Sequence, residues 1–135
     1  MDLIFLLGRI LFAALFIGSG IGHLTDGENT KAYAKAAGAP APETTVPLTG
    51  VMLLVGGLSV LFGMFADAGA LLLFAFLGPA AFLMHAFWKV EEPGMRQIEM
   101  AQFMKNISLS GACLIIFWLY SEGEDLPLSL TDSLF

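Results

Sequence analysis

Five polar side chains stand near the ends of long apolar stretches, where they could meet both the membrane interior and water. They are His23, His85, Gln102, Lys105 and Asn106. Imidazole can donate, accept or exchange a proton near neutral pH, and the amide and ammonium groups can donate hydrogen bonds. If these groups lie together, they predict a site for the carbonyl oxygens of a quinone headgroup, with His85 as the proton-handling catalytic residue.

The competing interpretation is that these polar groups contact only water and lipid headgroups at the membrane interface. Trp88 and Lys89 follow His85 closely and are residue types that mark such an interface. An enclosed site is favoured by nearby phenylalanines that could form its aromatic walls, namely Phe16, Phe82, Phe87 and Phe103. Both interpretations place the same residues at one membrane level.

Arg9 lies inside the first apolar stretch, and its charge needs a partner there. An arginine in the bilayer interior costs at least about 2.5 kcal/mol on insertion scales. A tie to Tyr120, Glu122 or the last carbonyls of the fourth span would make Arg9 structural, whereas a lipid phosphate or an anionic substrate would make it ligand-binding. Along a helix, Arg9 is about 21 Å from His23. We therefore predict two separate polar sites.

Histidine and methionine side chains could also bind a haem iron or a soft metal ion. His23 and His85 could ligate one haem iron from opposite faces, but no haem-attachment motif accompanies them. Met95, Met100 and Met104 could bind a soft metal such as Cu(I), although no cysteine or histidine stands near them. We predict no metal site and no intrinsic cofactor, apart from a bound quinone.

Helices must position these residues, because four apolar stretches are long enough to cross a bilayer and lipid leaves no water for unpaired backbone groups. The predicted spans are residues 3–23, 47–65, 68–88 and 103–120. Between the first two spans, residues 24–46 predict a short interfacial helix capped by Asp26 or Asn29, then a proline-rich turn. Residues 89–102 predict a mixed-charge loop, and residues 122–135 a frayed acidic tail. The spans form the membrane domain 1–121.

Short connections predict an all-α, up-and-down four-helix bundle. The connection around Asp67 is only a few residues long, so the second and third spans must be antiparallel neighbours. Alternating directions then place His23, His85 and the start of the fourth span at one membrane level. Small residues predict the faces where helices pack closely, at Gly18, Gly22, Gly56, Gly57, Gly63 and Gly111.

The composition excludes several classes of protein. The 135-residue chain is 57% hydrophobic and only 13% charged, which rules out an ordinary soluble domain. A net charge of −6 without a polybasic run argues against nucleic-acid binding. Cys113 is the only cysteine, so no intramolecular disulfide or Cys-x-x-Cys redox pair can form. The first span lacks a basic n-region and a cleavage site, so we expect it to be retained.

Basic residues predict the orientation in the membrane. Lys31 and Lys35 lie in the first connection, and Lys89, Arg96 and Lys105 lie in or beside the third. Both connections fall on the same side of the bundle. The positive-inside rule places that side in the cytoplasm of a bacterial inner membrane and both termini outside.

Six short motifs follow one another along the chain in a recognisable order. They are LGR at residues 7–9, FIGSGIGHL at 16–24, AAGAPAP at 36–42, a glycine pattern at 50–57, HAFW at 85–88 and FMKNISLSG at 103–111. Their order and spacing over almost the whole chain resemble the DoxX family of small bacterial membrane proteins. The resemblance implies a four-helix membrane protein. It also implies a redox context, because the related DoxD subunit is implicated in thiosulfate:quinone oxidoreduction and other members in membrane complexes that resist oxidative stress.

The resemblance carries over a set of site residues, namely Arg9, His85, Trp88, Lys105 and Asn106. The chain departs from the family pattern where members usually have a lysine, a glutamate and often a histidine; it has His23, Leu53 and Gln102 there. The lost glutamate removes an obvious proton acceptor from the membrane.

We therefore expect an accessory or quinone-interacting subunit of a membrane redox system, in contact with lipid and with redox partner proteins. The alternative is a non-catalytic membrane protein that binds lipid or assists a complex. The oligomeric state is open.

Overall fold

The structure describes residues 1–123 and 126–135, and the regular secondary structure of these residues is helical. The elements of this computed structural model are α1 (Asp2–Thr25), α2 (Gly27–Ala36), α3 (Pro42–Phe62), α4 (Ala66–Met84), a 3₁₀ turn (Phe87–Lys89) and α5 (Pro93–Glu122). Four segments are long and apolar enough to cross a membrane: α1, α3, α4 with the 3₁₀ turn, and α5. The predicted all-α fold with four membrane spans is confirmed, and α2 is the predicted short helix.

The bundle is assembled from neighbours in chain order: α1 packs on α3, α3 on α4, and α4 on α5. Its core consists of Phe16, Leu53, Val60, Ala70, Leu73, Leu77 and Cys113. Large apolar side chains such as Leu11, Ile115 and Trp118 point outward. In a bilayer these side chains contact lipid, which is why the outer surface can be as apolar as the core.

Two spans begin earlier than predicted. The helix α3 starts at Pro42, whereas the sequence predicted a start at Pro47. Likewise α5 starts at Pro93, whereas the sequence predicted a start at Phe103. Proline suits the first helical position, because the N–H that it lacks would have no partner there. Both helices use a proline in this way. Much of the predicted loop 89–102 is therefore helix.

Glu92 fixes the start of α5. Its carboxylate accepts hydrogen bonds from the backbone N–H groups of Met95 at 2.5 Å and Gly94 at 2.9 Å. These bonds satisfy two of the unpaired donors at the helix start. They also lower the pKa of Glu92, because they stabilise its charged form.

The glycine-lined packing faces were only partly predicted. A Cβ at Gly18, Gly22 or Gly111 would contact nothing within 4 Å, so these three glycines do not pack against a neighbouring helix. The close approach of α1 to α3 occurs instead at Gly20, where a Cβ would lie 2.9 Å from the carbonyl oxygen of Gly50. Burial of Phe16 sets the rotation of α1, and Gly20 lies four residues further on the same face.

Residues 126–135, here named the tail segment, pack against the turn between α3 and α4. The backbone N–H groups of Leu130 and Thr131 each donate to the carbonyl of Gly63 at 3.2 Å. In return the N–H of Phe65 donates to Thr131 Oγ1 at 2.8 Å. The prediction of a frayed tail was wrong, because the last carbonyls of a helix lack intrahelical partners and the tail segment supplies them.

Asp67 holds the far end of the tail segment. This residue is fully buried at the start of α4, and its Oδ2 accepts from the N–H groups of Leu134 at 2.6 Å and Phe135 at 2.9 Å. The connection between α3 and α4 is as tight as predicted. Glu124 and Asp125, which belong to the predicted acidic tail, lie outside the described residues.

Candidate functional site

A cavity of about 440 Å³ lies among the helices at the end of the bundle that carries α2. This end is named the cavity end, and the opposite one, with the tail segment, the tail end. Most of the lining is apolar and includes Phe16, Leu53 and Phe76. Polar side chains interrupt it: His23, Tyr33, Thr49, His85, Lys105 and Asn106. The size and the mixed lining are typical of small-molecule sites.

Four predicted site residues are brought together in this cavity: His23, His85, Lys105 and Asn106. They come from α1, the end of α4 and α5, which meet because alternate helices run in opposite directions. Arg9, Trp88 and Gln102 lie outside the lining. Whether any of the seven residues binds a ligand stays a prediction.

His23 is held by a hydroxyl of α3. Its Nδ1 lies 3.0 Å from Thr49 Oγ1. The same hydroxyl donates its hydrogen to a backbone carbonyl of α3, either that of Thr45 at 2.8 Å or that of Val46 at 2.9 Å. A hydroxyl has only one hydrogen, so the tautomer of His23 that fits these carbonyl bonds is the one that donates from Nδ1.

His85 pairs with a carboxylate that the sequence analysis missed. Its Nδ1 lies 2.7 Å from Glu99 Oε2, and both side chains are only 15% exposed. Glu99 was missed because the segment before Phe103 was assigned to a loop. The signal that could have found it is the combination of Glu92 and Pro93 as a helix start, which places Glu99 on the second turn of α5.

Glu99 also lies beside Tyr33 of α2. Partial burial, with the nearby Glu99 carboxylate as the second cause, raises the pKa of Tyr33 above its ordinary value. Tyr33 lines the cavity and is about half exposed. The titratable side chains of Tyr33, His85 and Glu99 thus form one cluster beside the cavity.

Lys105 and Asn106 supply hydrogen-bond donors from α5. Lys105 Nζ donates to Gln102 Oε1 at 2.5 Å, so Gln102 contributes by orienting the lysine. Asn106 is only 6% exposed. Among the described residues its side chain has no hydrogen-bond partner, which leaves the amide available to the cavity.

Trp88 and three of the predicted aromatic walls belong to a separate cluster outside the cavity. Helix α4 ends at Met84, four residues before the predicted end, and the following 3₁₀ turn carries Phe87 and Trp88 away from the lining. There they pack on Phe103, at ring-centroid distances of 5.5 and 5.6 Å, and Phe82 joins them. Of the predicted walls, only Phe16 lines the cavity.

Arg9 is bonded at the tail end and is only 4% exposed. Its Nη1 donates to Tyr120 Oη at 2.9 Å and to Ser129 Oγ at 3.1 Å, and its Nη2 donates to the Leu128 carbonyl at 2.6 Å. Tyr120 is one of the partners proposed from the sequence. The guanidinium also lies 5.3 Å from the ring centre of Phe5. Arg9 and the histidines therefore occupy separate sites, as the helix spacing indicated.

Comparison with known proteins agrees with this architecture. Residues 4–86, more than half of the chain, match the sequence model of the DoxX family. The chain belongs to the DoxX family. This DoxX chain is 33% identical over 111 residues to the inner membrane protein YqjF of Escherichia coli K12, covering 82% of this chain and 79% of that one. It is 26% identical, over the same shares, to the inner membrane protein YphA of that organism. Solved structures give no significant match.

One departure of this DoxX chain from the family pattern falls inside the cavity. Leu53 stands where the family usually has a glutamate, and it is 1% exposed and lines the cavity. The wall contributed by α3 is therefore apolar at this point. A carboxylate comes from α5 instead, as Glu99, which contacts the cavity-lining His85.

Proposed function

We propose that this DoxX-family protein binds the headgroup of an isoprenoid quinone or quinol in its cavity, as an accessory subunit of a membrane redox system. The observation that carries the proposal is the meeting of His23, His85, Lys105 and Asn106 in one largely apolar cavity of about 440 Å³. A flat ring with two oxygen substituents needs both features. Apolar walls hold the ring, and convergent polar groups bind the oxygens.

Each polar group has a distinct role in this proposal. Lys105 and Asn106 donate hydrogen bonds to the oxygens of the bound ring. His85 exchanges a proton with a ring oxygen at Nε2, because its Nδ1 is already bonded to Glu99. Glu99 fixes the orientation of the imidazole ring through this bond.

We also propose that the cavity end faces the cytoplasm of the inner membrane and that both termini lie outside. Five of the six basic residues are at the cavity end: Lys31, Lys35, Lys89, Arg96 and Lys105. Loops rich in lysine and arginine stay in the cytoplasm. The two relatives, YqjF and YphA, are named as inner membrane proteins.

A phospholipid acyl chain is the competing occupant, because it too would fit apolar walls. That alternative is a non-catalytic lipid-binding or complex-assisting protein. It does not need the histidines, since an acyl chain offers no hydrogen-bonding group to them. It also receives no support from Arg9, which is engaged by Tyr120, Leu128 and Ser129.

The test is mass spectrometry of the organic extract from protein purified in mild detergent, together with an ultraviolet–visible spectrum. We expect quinone in near-stoichiometric amount. The variant His85→Ala should remain folded and lose at least about tenfold of the extracted quinone and quinol taken together, because it lacks the Nε2 to which a ligand hydroxyl would bond. Gln97→Ala, an exposed position on α5, is the matched control and should retain the quinone.

Two outcomes would overturn the proposal. One is an extract that contains phospholipid without quinone, which would favour the lipid-binding alternative. The other is quinone retained equally by the wild type and by folded His85→Ala protein, which would mean that the quinone binds elsewhere on the apolar surface.

A further inference from the structure

The hydrogen-bond partners of the two histidines restrict which ligand oxidation state fits the cavity. His23 donates from Nδ1 to Thr49, because the hydroxyl hydrogen of Thr49 is committed to a carbonyl of α3. A neutral imidazole carries one hydrogen. The Nε2 of neutral His23 is therefore a bare acceptor.

The same reasoning applies to His85. An ionised carboxylate can only accept hydrogen bonds, so the 2.7 Å contact with Glu99 assigns the imidazole hydrogen to Nδ1. Neutral His85 then also has a bare Nε2. Both histidines line the cavity, one from α1 and the other from the end of α4.

Resting on the function proposed above, we propose that the cavity selects the reduced dihydroxy form of its ligand, a quinol, over the oxidised quinone. A quinol has two O–H donors on opposite sides of its ring, and these match two acceptor nitrogens. A quinone has none. Binding a quinone would leave both Nε2 atoms without partners in an apolar cavity, and an unmade buried hydrogen bond is costly.

The other polar groups do not reverse this preference. Lys105 and the amide of Asn106 can donate to the oxygens of either form, because a quinol oxygen still accepts while its hydrogen is donated. They contribute to the affinity for both forms. The selectivity resides in the two imidazoles and in the residues that fix their tautomers, Thr49 and Glu99.

The preference depends on protonation. The titratable groups around the cavity are His23 on α1, Tyr33 on α2, His85 at the end of α4, and Glu99 and Lys105 on α5, whereas α3 contributes the hydroxyl of Thr49. Adding a proton to an imidazole converts Nε2 from an acceptor to a donor. A hydrogen on Nε2 would therefore weaken the selectivity for the quinol.

The experiment measures binding of decylubiquinol and decylubiquinone to the delipidated full chain in nanodiscs, without oxygen, at pH 8.5. We expect the quinol to bind at least about tenfold more tightly. Nitrogen-15 spectra of the histidine rings without ligand supply a second measurement. They should show the hydrogen on Nδ1 for both histidines.

Two variants each remove the contact that fixes the tautomer of one histidine. Thr49→Val removes the acceptor for His23, and Glu99→Gln allows the amide to donate to His85. Each should reduce the quinol preference severalfold, because an Nε2 that carries the hydrogen no longer accepts from the quinol and can donate to the quinone. The matched controls are the variants Thr44→Val and Glu91→Gln, which change exposed residues and should retain the wild-type preference.

The outcomes separate the two proposals. If neither probe binds, the proposed function fails. If both bind equally well, or the quinone binds better, quinone binding stands and the selectivity is refuted. Hydrogen on Nε2 of either histidine in the ligand-free spectra would also refute it, whatever the affinities are.

Discussion

Both ends of the bundle bury polar groups among apolar helices, but the two ends use these groups differently. At the tail end Arg9 and Asp67 bond to groups of the protein itself. At the cavity end His23, His85 and Asn106 have hydrogen-bonding atoms left over beside a cavity. Arg9 Nε and Asp67 Oδ1 also lack partners among the described residues, but neither residue lines the cavity. Position beside the cavity, rather than charge or unused hydrogen-bond capacity, therefore distinguishes a group that holds the fold from one that can bind a ligand.

Replacing Arg9 is the strongest way to challenge this contrast. Arg9→Leu removes three hydrogen bonds and leaves Tyr120 and the Leu128 carbonyl without their donor. We expect a loss of about 3 kcal/mol in the free energy of unfolding, measured in mixed detergent and dodecyl sulfate. Arg96→Leu, at an exposed position, should change it little. Folded Arg9→Leu protein that selectively lacked the cavity ligand would show that the two ends are not independent.

Replacing Asp67 probes the other anchor of the tail segment. Asp67→Ala removes the acceptor for the N–H groups of Leu134 and Phe135. The expected cost is about 1.5 kcal/mol, with faster proteolysis of the tail segment and unchanged ligand content. Asp2→Ala, an exposed residue of α1, serves as the control. A tail segment that stayed protected would mean that its contacts with Gly63 and Phe65 suffice.

At the cavity end the cluster around Glu99 can be tested through Tyr33. The carboxylate of Glu99 contributes to the raised pKa of Tyr33, second to burial. Glu99→Gln should lower this pKa toward the ordinary value of 10.0 without reaching it. The phenolate absorbance would be titrated with and without Tyr33→Phe, which separates Tyr33 from Tyr120. An unchanged titration would place Glu99 away from Tyr33.

The smallest expected effect concerns the start of α5, which positions Glu99. The pKa of Glu92 in the folded protein is below its ordinary value of 4.5, so its contribution to stability is present above pH 4.5 and is lost as the pH falls through the folded pKa. Glu92→Gln should speed amide exchange at Gly94 and Met95 at neutral pH. Glu91→Gln should not, and equal exchange in both variants would exclude the cap.

The sequence predicted the four spans and the level at which the cavity residues meet, because both follow from helix length and alternating direction. It also provided Tyr120 as a partner for Arg9, since the first and last spans bring those residues to the same half of the bundle. These inferences need only the rise of a helix and the thickness of a bilayer.

The missed features depend on contacts between elements. Glu99 is part of the site only because α5 begins at Pro93, within a stretch whose mixed charge conceals the helix. Gly20 rather than Gly18 packs on α3 because helix rotation is set by which face is buried. The ordered tail segment depends on backbone groups, which hydropathy does not register.

The bonds of Arg9 have a consequence for biosynthesis. Its partners Leu128 and Ser129 are synthesised 119 and 120 residues after it. The first helix therefore enters the bilayer while its arginine still lacks them, at a cost of about 2.5 to 3.5 kcal/mol on insertion scales. Until the tail segment leaves the ribosome and packs at the tail end of the bundle, α1 is a charged and incompletely paired span, and Arg9 is fully paired only when Leu128 and Ser129 are in place.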